Sequence, residues 1–189
     1  MNIVERNVEV EMVRDDFDKI PVFPCPAGYS IHWFEQDDEA LWVSIWKAAE
    51  KYLDIDDALF SSEFGNDADS LRDRQFYLID AAGRAIGTST AWFDGDRSNR
   101  DTGRVHWVAV IPEKQGQGLS KPIMTVTCER LRDLGYKNSV LGTSTGRLSA
   151  INLYSYFGFR PNIRNQDDLS NWRELNPHLR NPIPLTEQR

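Results

Sequence analysis

Between Gln115 and Lys121 the chain reads QGQGLSK, which places two side-chain amides, two glycines, a hydroxyl and an ammonium group in one short turn. Such residues suit an anion, because small side chains let it reach the main chain and exposed N–H groups can donate to it. Residues 105–111 (VHWVAVI) are rich in β-branched and aromatic types and stop at Pro112, which predicts a strand. After the turn, Ile123, Met124, Val126, Thr127, Arg130, Leu131 and Leu134 recur at largely helical spacing, and Gly135 is a natural stop. A strand feeding a glycine-bearing turn at a helix N-terminus converges N–H groups on one spot, where the helix dipole favours negative charge. The expected ligand therefore carries phosphate. The nucleotide P-loop requires Gly-Lys-Ser/Thr, but Lys121 follows Ser120 and precedes Pro122. The dinucleotide fingerprint requires a third glycine where Lys121 stands. Both patterns fail.

The pattern that does fit is Gln115-x-x-Gly118-x-Ser120. It resembles the acyl-CoA pyrophosphate loop of the GNAT family of N-acetyltransferases, written Gln/Arg-x-x-Gly-x-Gly/Ala. Ser120 departs from the usual last residue, yet it is small and its hydroxyl adds a donor. Pro122 is unusual too, but in a first helical turn it sacrifices no intrahelical bond. Residues 147–159 (RLSAINLYSYFGF) resemble the family's second motif, Asn-x-x-Ala-x-x-Leu-Tyr-x-x-x-Gly-Phe. Ala150, Leu153, Tyr154, Gly158 and Phe159 fall in register, and Arg147 stands where the family often has Asn.

The resemblance covers about residues 29–161 and implies a site. Acetyl-CoA would be the cosubstrate, with no metal. Main-chain groups at Val108 and Val110 would bond the pantetheine arm as an added strand does. The stretch Gln115, Gly116, Gln117, Gly118, Ser120 and Lys121 would meet the pyrophosphate, and Arg147 a phosphate or a pantetheine carbonyl. The strand near Ser139 would splay away to make room. A backbone N–H of the 105–111 strand would stabilise the tetrahedral intermediate, and Tyr154 would protonate the leaving thiolate as general acid. For the general base, His106 lies on the critical strand and titrates in the right range, sharing a face with Val108 and Val110 by alternation. A histidine packed in the sheet is the competing reading. Glu63, Asp94 and a water chain are rivals for the proton.

Composition narrows the classes. Twenty-two Lys+Arg against 29 Asp+Glu give a formal charge of −7, which argues against non-specific nucleic-acid binding and is compatible with a cationic acceptor. Cys25 and Cys128 are isolated, which suits a reducing compartment rather than a disulfide framework. His32, His106 and His178 lack metal-ligand spacing. The charged N-terminus has no apolar h-region, and no run approaches membrane-spanning length. The expectation is a cytoplasmic protein without nucleic-acid or membrane partners; a homodimer is compatible with it.

The site must be positioned by the elements around it. Residues 1–27 read as an extended lead-in, with Val8, Val10 and Met12 suiting a short edge strand and Pro21, Pro24 and Pro26 stiffening its second half. A strand at 29–34 precedes a helix capped by Asp37 or Asp38 and striped with Leu41, Trp42, Ile45, Trp46, Ala49 and Tyr52, where core packing is favoured over pocket lining. Residues 54–74 read as a second short helix and a connection, the variable acceptor side in the resemblance. Strands at 75–80 and 85–93 form a hairpin. After the 120–134 helix come a strand at 139–143, a helix at 147–157, a last strand near 159–161, and a tail at 170–189 holding a short helix and a loose end. This is an α/β (mixed α+β) order, similar to the GNAT arrangement: a central mixed, mostly antiparallel sheet flanked by helices, with splayed strands forming the acyl-CoA cleft. Residues 28–189 would be one such domain. The expected function is acetyl transfer from acetyl-CoA to a primary amine of a small molecule or peptide, by direct attack in a ternary complex. A non-catalytic acyl-CoA sensor or interaction module, and a nucleotide-binding protein, are the alternatives.

Overall fold

The computed structural model describes residues 1–65, 67–95, 98 and 101–185. In chain order the elements are α1 (Ile3–Arg6), β1 (Glu9–Arg14), β2 (Tyr29–Trp33), α2 (Glu39–Ala49), α3 (Asp57–Phe64), α4 (Ala68–Arg72), β3 (Gln75–Asp80), β4 (Ala85–Phe93), β5 (Thr102–Val110), α5 (Ser120–Asp133), β6 (Asn138–Ser144), α6 (Leu148–Tyr156), β7 (Arg160–Pro161) and α7 (Gln166–Leu175). The strands form a seven-stranded sheet in the order β2-β3-β4-β5-β6-β1-β7. Its β2–β3, β3–β4, β1–β6 and β1–β7 pairs are antiparallel, and β5–β6 is parallel. The mixed, mostly antiparallel sheet flanked by helices is the architecture expected from the sequence. The parallel pairing of β5 and β6 runs from Thr102↔Asn138 to Arg104↔Val140, while β6 follows β1 as far as Ser144. Two compact units divide the chain: Met1–Pro21 with Phe93–Arg104 and Leu134–Arg189, and Val22–Trp92 with Val105–Asp133.

In the first unit the chain start corrects the expectation of an edge strand. β1 is interior, held by β6 on one side and β7 on the other. Its alternation does bury Val10 and Met12. The outward glutamate does not force an edge, because Glu11 lies 3.5 Å from Arg164 and accepts from the side-chain amide of Asn162. Charged strand positions are tolerated away from an edge when partners meet them. As far as Leu185 the tail also differs from a loose end, residues 186–189 lying outside the described residues. α7 is capped by Asn165, whose side chain accepts from the Asp168 N–H, and it turns Leu169, Trp172 and Leu175 inward. Asn176 then brackets Ile183 with two hydrogen bonds of 2.7 and 2.9 Å, and Arg180 N–H donates to Asn152. Buried backbone needs such partners, and the tail's polar side chains supply them.

In the second unit β3 and β4 form the expected hairpin, with Gly83 at φ 78° and the Asp80 carboxylate accepting from the Ala82 and Arg84 N–H groups at the turn. α2 buries Trp42, Val43, Ile45 and Trp46, whereas Tyr52 lies beyond the helix and is exposed. Asp38 occupies the N-cap position of α2 without capping it; its carboxylate accepts from the Glu35 N–H and meets His32. The variable segment holds two short helices rather than one, each started by an aspartate that caps it, Asp56 for α3 and Asp67 for α4. α5 packs closely against the sheet because Gly87 of β4 has no side chain. A Cβ there would lie 2.9 Å from both the Ala109 carbonyl oxygen and the Ile123 Cδ1. The Ser89 and Thr127 hydroxyls, 2.8 Å apart, tie the same faces together. Among the described residues no helix is long and apolar enough to cross a membrane.

Candidate active site

β5 carries the first part of the site. It opens at Thr102, three residues before the expected start, and its burial alternates until His106 and then fails. The cause is Trp107, at φ 52°. A bulky residue in the left-handed region is an outlier, costing on the order of 1–3 kcal/mol, and it survives where its surroundings over-determine it. Here the Trp107 ring is wedged edge-to-face between Trp42 and Trp46, with centroids 5.0 and 4.7 Å away. On a flat strand His106 and Trp107 would point to opposite faces. The kink turns both toward one oxygen. Glu63 Oε2 lies 3.1 Å from His106 Nε2 and accepts from the Trp107 indole at 2.9 Å. Strict alternation therefore does not continue from His106 to Val108 and Val110, as the sequence suggested; the half-buried Val108 and buried Val110 lie beyond the kink.

The turn before α5 is the second part. Pro112–Lys114 form a single 3-10 turn, and the Gln115 N–H donates to the Pro112 carbonyl at 3.1 Å. The Gln115 side chain reaches back to the Val110 carbonyl at 2.8 Å, which locks the strand end to the turn. Gly116 and Gly118 have φ of 76° and 78°, a conformation glycine adopts without steric cost. The Lys121 N–H donates to the Gly118 carbonyl at 3.1 Å. The main-chain N–H groups of Gln115 and Lys121 are thus engaged within the loop. Those of Gly116, Gln117, Gly118 and Leu119 have no main-chain acceptor among the described residues. They precede a 14-residue helix, so an anion at this spot would meet both free donors and the positive end of a dipole. Ser120 is the first residue of that helix and Pro122 is buried in its first turn, where a missing N–H is harmless. The Lys121 ammonium lies 4.9 Å from the centre of the Phe23 ring, and the Phe23 N–H donates to Thr125 on α5.

The first unit, taken by itself, holds the other residues singled out in the sequence. Tyr154 on α6 is buried, with its ring set against Phe159 at 6.3 Å. Burial pushes its phenol up to about 12, against a smaller opposite pull from the Arg147 charge. A phenol so shifted keeps its proton at neutral pH, as a proton donor must. Arg147 occupies the N-cap position of α6. Asn152 is occupied structurally, donating to the Leu148 carbonyl and accepting from Arg180. Asp94, a rival base, is gripped by Arg104 Nε and Nη2 at 3.1 and 2.6 Å. Tyr156 is exposed, with its ring 6.0 Å from that of Phe157. Among the described residues no group of three or more His, Cys, Asp and Glu could hold a metal ion.

Glu63 and His106 were separate candidates in the sequence, and the fold brings them into contact. Trp107 carried no sequence signal beyond its aromatic character; a tryptophan beside a strand histidine reads as core.

The family model described as "Acetyltransferase (GNAT) family" matches residues 11–159. A mycothiol acetyltransferase of Pseudarthrobacter chlorophenolicus is 30% identical over 145 residues, 74% of this chain and 45% of the relative. Human N-acetyltransferase 8B is 30% identical over 122 residues, 64% of this chain and 54% of the relative. The chain thus spans about half the length of these curated relatives. Among solved structures, a GCN5-related N-acetyltransferase from Sphaerobacter thermophilus superposes with a TM-score of 0.67 at 16% identity, covering 81% of this chain and 48% of the other. The ribosomal-protein-S18-alanine N-acetyltransferase of Escherichia coli gives 0.56 at 21% identity, over 69% and 76%. At these identities the structural matches speak to the fold.

Proposed function

The chain belongs to the acetyltransferase (GNAT) family, and we propose that it moves an acetyl group from acetyl-CoA to a primary amine of a small molecule or peptide by direct attack in a ternary complex. The observation that carries this reading is the set of unengaged N–H groups from Gly116 to Leu119 at the start of α5. Four N–H groups without a main-chain acceptor just before a helix N-terminus suit the pyrophosphate of CoA, and the sequence lacks the Gly-Lys-Ser/Thr of a nucleotide loop. Relatives named for N-acetylation support a nitrogen acceptor.

In this reading the main chain at Val108 and Val110 lies along the pantetheine arm, and a β5 N–H stabilises the oxyanion of the tetrahedral intermediate. His106 accepts the proton that the amine must lose, and Tyr154 protonates the thiolate as the C–S bond breaks. Ser120 and Lys121 add a hydroxyl and a positive charge to the phosphate site, and Arg147 contacts a phosphate or a pantetheine carbonyl. The acidic balance of the chain suits a cationic acceptor, and its two isolated cysteines suit a cytoplasmic setting.

Calorimetry with acetyl-CoA and with ATP, then thiol release across an amine panel, tests the reading. Binding of acetyl-CoA without ATP, and turnover of at least one amine, is the expected result. Acetyl-CoA binding with no turnover of any amine would mean a non-catalytic acyl-CoA-binding module, and preference for ATP would refute both.

A further inference from the structure

We propose that Asp80 and Lys114 form a latch that holds the turn before α5 in its binding shape, which makes both of them positioning residues for acetyl-CoA; the proposal rests on the acetyltransfer reading above. Every group in the latch belongs to the second unit. The Asp80 carboxylate is divided between two tasks. Its Oδ1 accepts from the Ala82 and Arg84 N–H groups at 3.0 and 3.1 Å and so shapes the turn between β3 and β4. Its Oδ2 lies 3.4 Å from the Lys114 ammonium, and the two side chains are only 13% and 29% exposed. The Arg84 N–H, followed by the Ala82 N–H and Lys114, outweighs desolvation and holds the Asp80 carboxyl below the usual aspartate range. The pair is therefore charged at neutral pH.

Lys114 closes the 3-10 turn, and residues 115–120 follow it directly. Its N–H donates to the Ile111 carbonyl at 3.0 Å, and the Ile111 N–H donates to Ile86 on β4 at 2.9 Å. Its ammonium also sits 5.7 Å from the centre of the Tyr29 ring on β2. One lysine thus joins the base of the anion turn to the hairpin and to the edge strand. The neighbouring Arg84–Glu113 pair spans 3.9 Å between exposed side chains, and such a pair contributes little. A turn already held in shape loses less conformational freedom when a ligand arrives, and the latch acts on affinity by that route.

Calorimetry of the full chain with acetyl-CoA tests this role. Asp80→Asn keeps the oxygen that the turn N–H groups need and removes the charge that Lys114 meets. Affinity should fall about fivefold in Asp80→Asn and in Lys114→Met alike, and no further in the double variant, because either change opens the same latch. The loss should appear in the KM for acetyl-CoA rather than in kcat. Charge alone predicts the opposite sign for Asp80→Asn, since removing a carboxylate near a bound anion strengthens binding. Tighter binding in Asp80→Asn with weaker binding in Lys114→Met would make Lys114 a direct phosphate contact and overturn the latch. Unchanged affinity in both variants, or losses that multiply to about 25-fold in the double variant, would overturn it as well.

Amide hydrogen exchange reads the latch without any ligand. The Lys114 and Gln115 amides, which donate to Ile111 and Pro112, should exchange about fivefold faster in Asp80→Asn while the Ile111 amide keeps its rate. Identical exchange in Asp80→Asn and the unaltered chain would refute the latch. Failure of the unaltered chain to bind acetyl-CoA would instead sink the acetyltransfer reading, with amide exchange still deciding whether Asp80 holds the turn.

Discussion

The turn before α5 and the cluster around His106 flank the same strand, and they are assembled in opposite ways. The turn is contiguous: Gln115 bonds the Val110 carbonyl, two glycines take positive φ, and a helix begins. Its N–H groups from Gly116 to Leu119 have no main-chain acceptor among the described residues. The cluster joins residues 43 and 44 positions apart, from α3 and β5, and depends on a tryptophan bent into a conformation that its type disfavours. A turn made of backbone is largely robust to the rest of the fold, whereas a cluster made of side chains exists only when distant elements meet.

Four outcomes would sharpen or break that contrast. The largest belongs to the turn. Gly118→Glu places a carboxylate, and a side chain at φ 78°, at the proposed pyrophosphate site. Calorimetry should show acetyl-CoA affinity reduced at least about 100-fold in a variant that still unfolds cooperatively, destabilised by about 1–3 kcal/mol by the side chain at φ 78° although its Cβ meets nothing within 4 Å. Unaltered affinity would remove the loop from the site. Next, Tyr154→Phe should cut kcat by about 100-fold with little change in KM for either substrate. Since burial holds the phenol at about 12, its proton is retained as pH rises through the neutral range and is lost only near that value. An alkaline limb centred on the ordinary tyrosine value of about 10 and abolished in Tyr154→Phe would contradict the shift.

Smaller effects probe the scaffolding. Gly87→Ala should destabilise by about 1–3 kcal/mol in chemical denaturation, since the added Cβ would sit 2.9 Å from backbone on β5 and from Ile123 on α5. Wild-type stability in this variant would mean that α5 can move off the sheet at little cost. The smallest is Trp107→Phe, which keeps an aromatic wedge but deletes the donor to Glu63. A fall of about fivefold in kcat at unchanged acetyl-CoA affinity is expected, consistent with one hydrogen bond lost from the Glu63 carboxylate beside His106. If Trp107→Phe weakened acetyl-CoA binding as strongly as Gly118→Glu, the separation between turn and cluster would collapse.

Much of the frame was legible because it is encoded at short range. The hairpin of β3 and β4, the strand–turn–helix of β5 and α5, and the Ala150–Phe159 motif on and after α6 are each specified by residues within one or two turns of each other. Asp56 and Asp67 each start a helix that the pattern of 54–74 had merged, because two closely spaced caps look like one polar stretch. The place of β1 between β6 and β7 was not legible, since alternation states which face of a strand is buried and says nothing about how many neighbours it has. The tail was misread for a related reason. Its fastening depends on Asn176 meeting the Ile183 main chain seven residues on and on Arg180 meeting Asn152 of α6, pairings that no periodicity announces.

The sequence by itself determined the family, the mixed sheet and the loop at residues 115–120, because main-chain geometry is set by glycine, proline and periodicity at short range. Only the tertiary structure decided that Glu63 and His106 form a pair, that Trp107 bends the strand to allow it, and that Arg104 holds Asp94. The physical reason is reach. Backbone dihedrals are fixed by neighbours in the chain, while the partner of a side chain is fixed by whichever element packing brings to it.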